Sequence, residues 1–445
     1  MSLSPLDSHL YAPLFAVPEI TAVFTDHTHI QQMLLVEGAL AEVQGRLGII
    51  PAAAAAEIRT AVAELTIDWP QLQAGLEQAG VPVIALVAQL RRQVGGEAAN
   101  YVHWGATTQD IVDTALVLQL RAALAVLEPL LGKVIALLAE LADGHRHTVM
   151  AGRTHSQHAL PITFGFKAAG WLAPLLRHRQ RLAQLKPRLL VVQFGGAVGT
   201  LAALGERGTA VLQALADELN LHVPLLPWHT QRDSLAEFAG WLSLVSGNLA
   251  KMAQDIILLA QSEVGELRES GDPSRGGSST MPQKSNPITS ELIIAAARTN
   301  ASLLGNMHQA LVQEQERATH GWQMEWLTLP QMVRLTAVCL QKAATILPTL
   351  VVNREQMAAN VAASLGLMLA ETLTFALAPD HMSRAEAKEL VAGACKTAVA
   401  QNRHLFDIVR EQTHAPLDWD SLRQEANYLG SASAFIDQVL RHVAG

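Results

Sequence analysis

The sequence predicts an all-α protein, and the prediction depends on its composition and on two heptad patterns. Half of the 445 residues are hydrophobic and only 4% are aromatic, so Ala, Leu, Val and Ile supply most of the apolar content. Ala and Leu favour helices. Apolar residues alternate at spacings of three and four from Leu120 to Leu141 and again from Leu242 to Leu259. Such seams pack long helices side by side in a bundle.

Three helical regions are predicted in order along the chain. They are an N-terminal helical domain over residues 1–110, a central long-helix bundle over 111–350 and a C-terminal helical domain over 351–445. Pro129 interrupts the first heptad run, so it is expected to kink that helix or to mark its start. A third long helix is expected to begin near Pro287, since proline suits a first helical turn. "RLLVVQF" (188–194) is the only run typical of a strand.

Charge and composition exclude several classes of protein. The net charge is −8 and no run of Lys or Arg occurs, so a nucleic-acid partner is not expected. Cys339 and Cys395 make no disulfide framework, which fits the reducing cytoplasm. The N-terminus lacks the pattern of a signal peptide, and the apolar run 189–205 is shorter than the ~20 residues of a membrane span. Long apolar helices favour association with other copies, so a multi-subunit helical core is expected.

Three polar segments break the apolar helices. The first is "YVHWGATTQDIVDTA" (101–115), the second is "GRTHSQHALPITFG" (152–165) and the third is "GGSSTMPQKSNP" (276–287). Each carries small hydroxyl or amide side chains beside an expected helix start, where free backbone N–H groups favour anions. Three such segments in one helical protein indicate a small-molecule polycarboxylate as substrate.

Structural interpretations of the same residues remain open. Thr107 and Thr108 also suit helix N-caps, and His155 suits a packed core position. The glycines of "GGAVGT" (195–200) lack the spacing and the lysine of a phosphate loop, which favours close helix packing. No metal is expected, because the spacing of the nearby histidines fits no zinc pattern and no cysteine joins them. Those histidines are His145, His147, His155 and His158.

The third polar segment has the composition of a catalytic lid within a loop over residues 270–287. Gly276 and Gly277 permit positive φ and mobility. A serine acts as a base only where its oxyanion is stabilised, and backbone N–H groups of the Gly-Ser-Ser turn together with Lys284 supply such stabilisation. Asn286 offers a donor and an acceptor to a bound carboxylate.

These segments resemble the three signature regions of the fumarase/aspartase superfamily, in the right order and over nearly the whole chain. "GGSSTMPQKSNP" is similar to its signature loop, "HWGATTQD" to its first region and "GRTHSQHALPITFG" to its second. Stretches such as "QFGGAVGTLAALG" (193–205) and "PWHTQRDSLAEFA" (227–239) resemble the branch of bacterial 3-carboxy-cis,cis-muconate cycloisomerases. The resemblance implies reversible addition and elimination through an aci-carboxylate, no cofactor, and a homotetramer with shared active sites.

The resemblance also implies roles for individual residues. Ser278 matches the catalytic serine, Lys284 and Asn286 match the carboxylate-binding pair, and His155 matches the proton-transfer histidine of many members. The residues expected to bind substrate beside Asn286 are Thr107, Thr108, Gln157, Ser279, His103 and Arg317.

The sequence departs from the pattern of the branch at a few positions, and alternatives follow from them. Gln283 and Ser285 stand where His and Arg are common, and His155 stands where some cycloisomerases carry Trp. A fumarate-releasing C–N lyase acting on an N-substituted aspartate is therefore the alternative activity. Trp322 and Trp326 downstream of Arg317 disfavour a nucleotide substrate. A non-catalytic homologue that keeps the bundle is the third possibility.

Overall fold

The computed structural model describes residues 4–270, 275–277, 280–281, 284–317 and 320–443. It confirms the all-α prediction, since helices dominate these residues. The helices are α1 (Ala12–Phe15), α2 (Pro18–Val23), α3 (Asp26–Arg46), α4 (Ala52–Glu64), α5 (Trp69–Ala79), α6 (Val83–Val94), α7 (Thr108–Gly144), α8 (Phe164–Leu189), α9 (Gly208–Leu219), α10 (Asp233–Leu259), α11 (Ile288–Gln309), α12 (Gly321–Ile346), α13 (Arg354–Ala362), α14 (Ala370–Leu377), α15 (Arg384–Gln401), α16 (Leu405–Gln412), α17 (Trp419–Leu422) and α18 (Ala432–Arg441). The strands are β1 (Val149–Thr154), β2 (Gln157–Thr163), β3 (Leu267–Arg268) and β4 (Val351–Val352).

The chain forms two compact units, each built from three stretches of sequence. The first unit comprises the described residues of Met1–Leu130, His178–Gly247 and Ala296–Val338. The second unit comprises those of Leu131–Arg177, Asn248–Ala295 and Cys339–Gly445. In the first unit, α3 packs against α4 and α9. In the second unit, α13 lies against β1, and α15 packs against α14 and α16 around an apolar core. The division into three regions at residues 110 and 350 stays a prediction.

The two heptad runs form buried faces of long helices, as predicted. Leu120, Leu124 and Leu127 of α7 are at most 1% exposed within the first unit. Further along α7, within the second unit, Leu131, Val134 and Leu138 are buried to the same degree. The six apolar residues of the α10 run, from Leu242 to Leu259, are all buried. Local periodicity was therefore sufficient to place both helices.

Helix α7 shows that the proline does not mark a helix start. The helix begins at Thr108 and continues through Pro129 to Gly144, so that part of the expectation is wrong. By length and mean hydropathy alone, α7 would also qualify as a membrane span. Its buried heptad residues are those of a helix inside a protein core. Helix α11 begins at Ile288, directly after Pro287, as the position of that proline predicted.

The main β structure lies where the sequence showed no strand. β1 and β2 form an antiparallel hairpin that contains most of the second polar segment, and α8 begins only at Phe164. "RLLVVQF" is not a strand: its first two residues end α8, and Val191 makes a single isolated bridge to His222. The hairpin strands are short, and a bulge lies between Ala151 and Arg153. That bulge breaks the alternation by which strands are recognised.

Candidate active site

The first polar segment is organised around the buried carboxylate of Asp110, close to the start of α7. This carboxylate accepts hydrogen bonds from the backbone N–H groups of Thr107, Gly195 and Gly196 at 3.0, 2.9 and 2.9 Å. His229 Nε2 lies 2.8 Å from the same carboxylate. Such a set of donors satisfies a buried charge. A Cβ on Gly195 would lie 2.7 Å from the side chain of Pro227. This glycine therefore serves close packing, but against a loop residue and not between helices as predicted.

Thr107 and Arg317 join two distant parts of the sequence in the first unit. Arg317 Nη1 donates to the hydroxyl of Thr107 at 2.8 Å. Burial lowers the pKa of the Arg317 guanidinium, against the opposing effect of the Asp110 and Asp113 carboxylates. Thr108 is half-buried and is the first residue of α7. A guanidinium beside hydroxyl groups at a helix start suits a carboxylate ligand.

His103 is held by a carboxylate that the sequence did not point to. Its Nδ1 lies 2.6 Å from Oε1 of Glu37, which is 2% exposed on α3. Burial by itself lowers the pKa of His103, but the Glu37 carboxylate outweighs it, so the pKa of this histidine is raised. The backbone of His103 has φ +63°. A histidine in this left-handed region is strained, and such strain is concentrated at functional sites.

A buried ion cluster lies behind these residues in the first unit. The guanidinium of Arg232 donates to both oxygens of Asp113, at 2.6 and 3.1 Å, and to both oxygens of Glu325, at 2.8 and 2.5 Å. Trp322 Nε1 also donates to Asp113 at 2.9 Å. Burial raises the pKa of Glu325, opposed by Arg232. The cluster fixes the start of α12 to α7. Removal of Arg232 would leave two buried carboxylates without their charged partner.

His155 lies at the tip of the β1–β2 hairpin in the second unit. Thr154 pairs with Gln157, so His155 and Ser156 alone form the turn, with φ +48° and +64°. Positive φ at both central positions is typical of a type I′ turn, which usually contains Asn and Gly. His155 and Gln157 are both exposed, so the core interpretation of His155 is wrong. The hairpin presents both side chains outward from a strained turn.

Arg153 holds the β1–β2 hairpin in place through an ion pair with Glu266. Its guanidinium donates to the two carboxylate oxygens of Glu266 at 2.9 and 2.7 Å, and Asn360 donates to Oε1 of Glu266 at 2.8 Å. The side chain of Glu266 is fully buried. A bidentate pair of this kind fixes orientation as well as distance, so it holds the turn with His155 in one place.

Two backbone contacts join the beginning of the third polar segment to its end. Asn286 N–H donates to the carbonyl of Gly276 at 2.8 Å, and Gly277 pairs with Ser285 in an antiparallel bridge. Gly276 has φ +72°, and a Cβ on it would lie 2.3 Å from the carbonyl oxygen of Asn286. Glycine is therefore required there by the close approach of two chain segments. Ser278 and Ser279 lie outside the described residues.

One carboxylate occupies the start of α11, where the sequence suggested free N–H groups. Glu269 accepts from the backbone N–H groups of Thr289 at 2.9 Å and Ser290 at 2.6 Å, and from the Ser290 hydroxyl at 2.9 Å. The protein itself thus supplies the anion at this helix terminus. Lys284 and Asn286 instead line an open cleft of about 1050 Å³ within the second unit, which is also lined by Arg268 and Arg354.

The structure places the predicted site residues in two groups. His103, Thr107, Thr108 and Arg317 belong to the first unit, and His155, Gln157, Lys284 and Asn286 to the second. Sequence reasoning missed Glu37, Asp110, His229, Arg232 and Glu266. Glu37 carried a signal, because it is a charged residue inside the apolar run "LLVEGALAEV". Within the described residues, no three His, Cys, Asp or Glu side chains are grouped for a metal ion.

Comparison with known proteins gives extensive matches. The family described as "Lyase" matches residues 15–299, and "Adenylosuccinate lyase C-terminus" matches residues 366–439. A 3-carboxy-cis,cis-muconate cycloisomerase of Pseudomonas aeruginosa is 45% identical over 97% of this chain and 96% of its own length. The 3-carboxy-cis,cis-muconate lactonizing enzyme of Pseudomonas putida has a TM-score of 0.92 at 42% identity, over 98% of this chain and 99% of its own.

A fumarate lyase of Mesorhizobium has a TM-score of 0.89, also at 42% identity, over 96% of this chain and 98% of its own. The matches thus cover the regions that contain all three polar segments. The chain belongs to the lyase family of the fumarase/aspartase superfamily.

Proposed function

We propose that this protein is a cycloisomerase that interconverts 3-carboxy-cis,cis-muconate and a carboxymuconolactone, as in the breakdown of protocatechuate through the β-ketoadipate pathway. The observation that carries the proposal is the grouping of Arg317, Thr107 and His103 near the start of α7. A substrate with three carboxylates needs several separate donors. The chain offers them in three polar segments, and its relatives include enzymes named for this substrate.

The reaction needs only carboxylate binding and one proton transfer. A carboxylate oxygen of the substrate forms a C–O bond to an alkene carbon. The electron pair of the alkene moves to the neighbouring carbon, is delocalised into a carboxylate as the aci-carboxylate, and then accepts a proton there. No electron leaves the substrate and no group is transferred, so the proposal includes no cofactor. Donors aimed at the aci-carboxylate lower the barrier because they are already oriented.

The predicted site residues are assigned on this basis. Lys284 stabilises the aci-carboxylate, and Ser278 and His155 move the proton. Substrate binding is assigned to Thr107, Thr108, Gln157, Ser279, Asn286, His103 and Arg317. The strained, exposed position of His155 supports its assignment, because a side chain at a hairpin tip is accessible to a ligand.

An assay with purified protein tests the proposal. Incubation with 3-carboxy-cis,cis-muconate is expected to remove its ultraviolet absorbance and to produce one lactone, identified by proton NMR. Protein carrying Lys284→Met serves as the negative control. No change in carboxymuconate, together with fumarate release from an N-substituted aspartate, would exclude the cycloisomerase.

The fumarate-releasing lyase is a second candidate, favoured by one specific observation. A histidine stands at position 155, where a proton-transfer residue of such lyases is expected, and the similar Mesorhizobium protein is described as a fumarate lyase. Testing a set of N-substituted aspartates beside carboxymuconate decides between the two.

We also propose that the protein is a cytoplasmic homotetramer whose active sites combine polar segments of different subunits. Leu244 and Leu258 of α10, two heptads apart, are 48% and 45% exposed and suit contact with another copy. Light scattering measures the mass directly. If sites are shared, mixing and refolding His103→Ala with Lys284→Met restores part of the activity, because some sites then receive both intact segments. A monomer, or no recovery on mixing, would contradict this arrangement.

A further inference from the structure

Glu37 has no role in the proposed reaction, although it pairs with His103, which is assigned to substrate binding. Glu37 lies on the buried face of α3 among Val36, Ala39 and Leu40, and its carboxylate is 2% exposed. A carboxylate buried among apolar groups is unfavourable unless a partner satisfies it. His103 Nδ1, 66 residues away in sequence and 2.6 Å away in space, is that partner.

The short contact with Glu37 determines which nitrogen of the His103 imidazole remains available to a ligand. Because the carboxylate accepts, Nδ1 carries a proton and donates it, and Nε2 lies on the opposite edge of the ring. Within the part of the chain that the structure describes, the ring makes no second hydrogen bond. The side chain of His103 is still 16% exposed. An imidazole with one nitrogen anchored to a carboxylate and the other accessible is an oriented donor for an anion.

We propose that Glu37 is a positioning residue, which keeps His103 protonated and holds its Nε2–H toward a carboxylate of the substrate. This proposal rests on the proposed function, since it deepens the assignment of His103 to substrate binding. The charge balance supports it: the substrate brings negative charge, and the buried negative charge of Glu37 sustains a positive charge on the ring.

The charged surroundings of His103 agree with this role. Burial lowers the pKa of the imidazole, but the carboxylate of Glu37 on α3, with a smaller contribution from Asp110 on α7, raises it above its usual value. The guanidinium of Arg91 on α6 acts in the opposite direction. The positive φ of His103 indicates that the surrounding structure imposes this ring position at the expense of backbone strain.

The protonation state of His103 can be measured without substrate. Exchange of the imidazole C2 hydrogen, followed by mass spectrometry against pH, reports the pKa of single histidines. The tryptic peptide 93–121 contains His103 as its only histidine. We expect a pKa above 6.5 in the unaltered protein, and a value lower by about one unit or more in Glu37→Gln. The matched control is Glu42→Gln on the same helix, whose carboxylate pairs with Arg59 at the surface and is expected to leave His103 unchanged.

Steady-state kinetics then distinguish a positioning role of Glu37 from a purely structural role. Glu37→Gln keeps the shape of the side chain, so it is expected to raise KM about tenfold with kcat nearly unchanged. It is also expected to move the alkaline limb of the kcat/KM profile to lower pH by the shift that exchange shows. His103→Gln removes that limb altogether.

Each outcome bears on one proposal. A pKa of His103 at or below 6.5 in the unaltered protein, or a Glu37→Gln variant with unchanged pKa and profile, overturns the positioning role. A normal shift of the His103 pKa in protein that does not turn over carboxymuconate overturns the proposed function and leaves the pair intact. If Glu37→Gln fails to fold, the pKa in the unaltered protein still decides.

Discussion

The guanidinium of Arg153 and the carboxylate of Glu266 meet through two hydrogen bonds, at 2.9 and 2.7 Å, beneath the hairpin turn that carries His155. The side chain of Glu266 is fully buried, so the carboxylate of this pair is shielded from solvent. Glu266→Ala leaves the guanidinium without its partner and is expected to lower the free energy of unfolding by on the order of 3 kcal/mol. Thermal unfolding measures this change, and kcat/KM should fall with it because the turn is no longer fixed.

Glu263→Gln is the control for that experiment, since Glu263 is exposed in the same loop. An unfolding midpoint of Glu266→Ala equal to that of the control would show that the pair does not stabilise the hairpin.

Substitution of Gly276 tests whether the close approach of Gly276 to Asn286 is needed to position the third polar segment. In Gly276→Ala, the new Cβ would meet the carbonyl oxygen of Asn286 at 2.3 Å, at a φ of +72° that alanine rarely adopts. Lys284 and Asn286 are then displaced, so kcat/KM is expected to fall on the order of 10²-fold with a small change in melting temperature. Gly393→Ala on the exposed face of α15, where a Cβ meets nothing, should leave activity unchanged. Equal activity of the two variants contradicts the prediction.

Ser278 is proposed to deliver the proton in the cyclisation direction and to remove it, as a base, in the reverse direction. Its removal tests the chemistry directly. Ser278→Ala is expected to lower turnover by on the order of 10²-fold or more, while the melting temperature stays unchanged because the sequence predicts a loop there. Single-turnover kinetics with carboxymuconate measure the effect on the chemical step. Ser302→Ala on the exposed surface of α11 is the control. Near-full activity of Ser278→Ala would rule out the serine as base.

The buried imidazole of His29 is expected to make the stability of the folded protein depend on pH. Its Nδ1 lies 2.8 Å from Oε1 of Gln119 on α7, and burial lowers its pKa below 6.5. Folding therefore favours the neutral ring, and its contribution is fully present above pH 6.5 and is lost as pH falls through the lowered pKa. His29→Gln should reduce the fall in melting temperature between neutral and acidic pH by about 2 °C. His27→Gln, exposed on the same helix, should not; equal pH profiles for both variants would contradict the linkage.

The sequence predicted those features that depend on neighbouring residues and missed those that depend on distant ones. The heptad runs located α7 and α10, because burial of a helix face follows from local spacing. The hairpin was missed, because its turn is made by His155 and Ser156 where the usual signal is Asn-Gly. The pairing of Glu37 with His103 spans 66 residues and depends on the packing of α3, which no local pattern reveals.

Glu269 is the residue immediately before the 270–287 loop, and its carboxylate binds the first turn of the helix that follows the loop. The residues that flank the loop are therefore joined by a side chain. Within the loop, Gly276 is joined to Asn286 by a backbone hydrogen bond. Both connections lie outside the segment between Gly277 and Ser285. We therefore expect that the corresponding segment of a relative with another substrate can be grafted between these two residues without detaching α11.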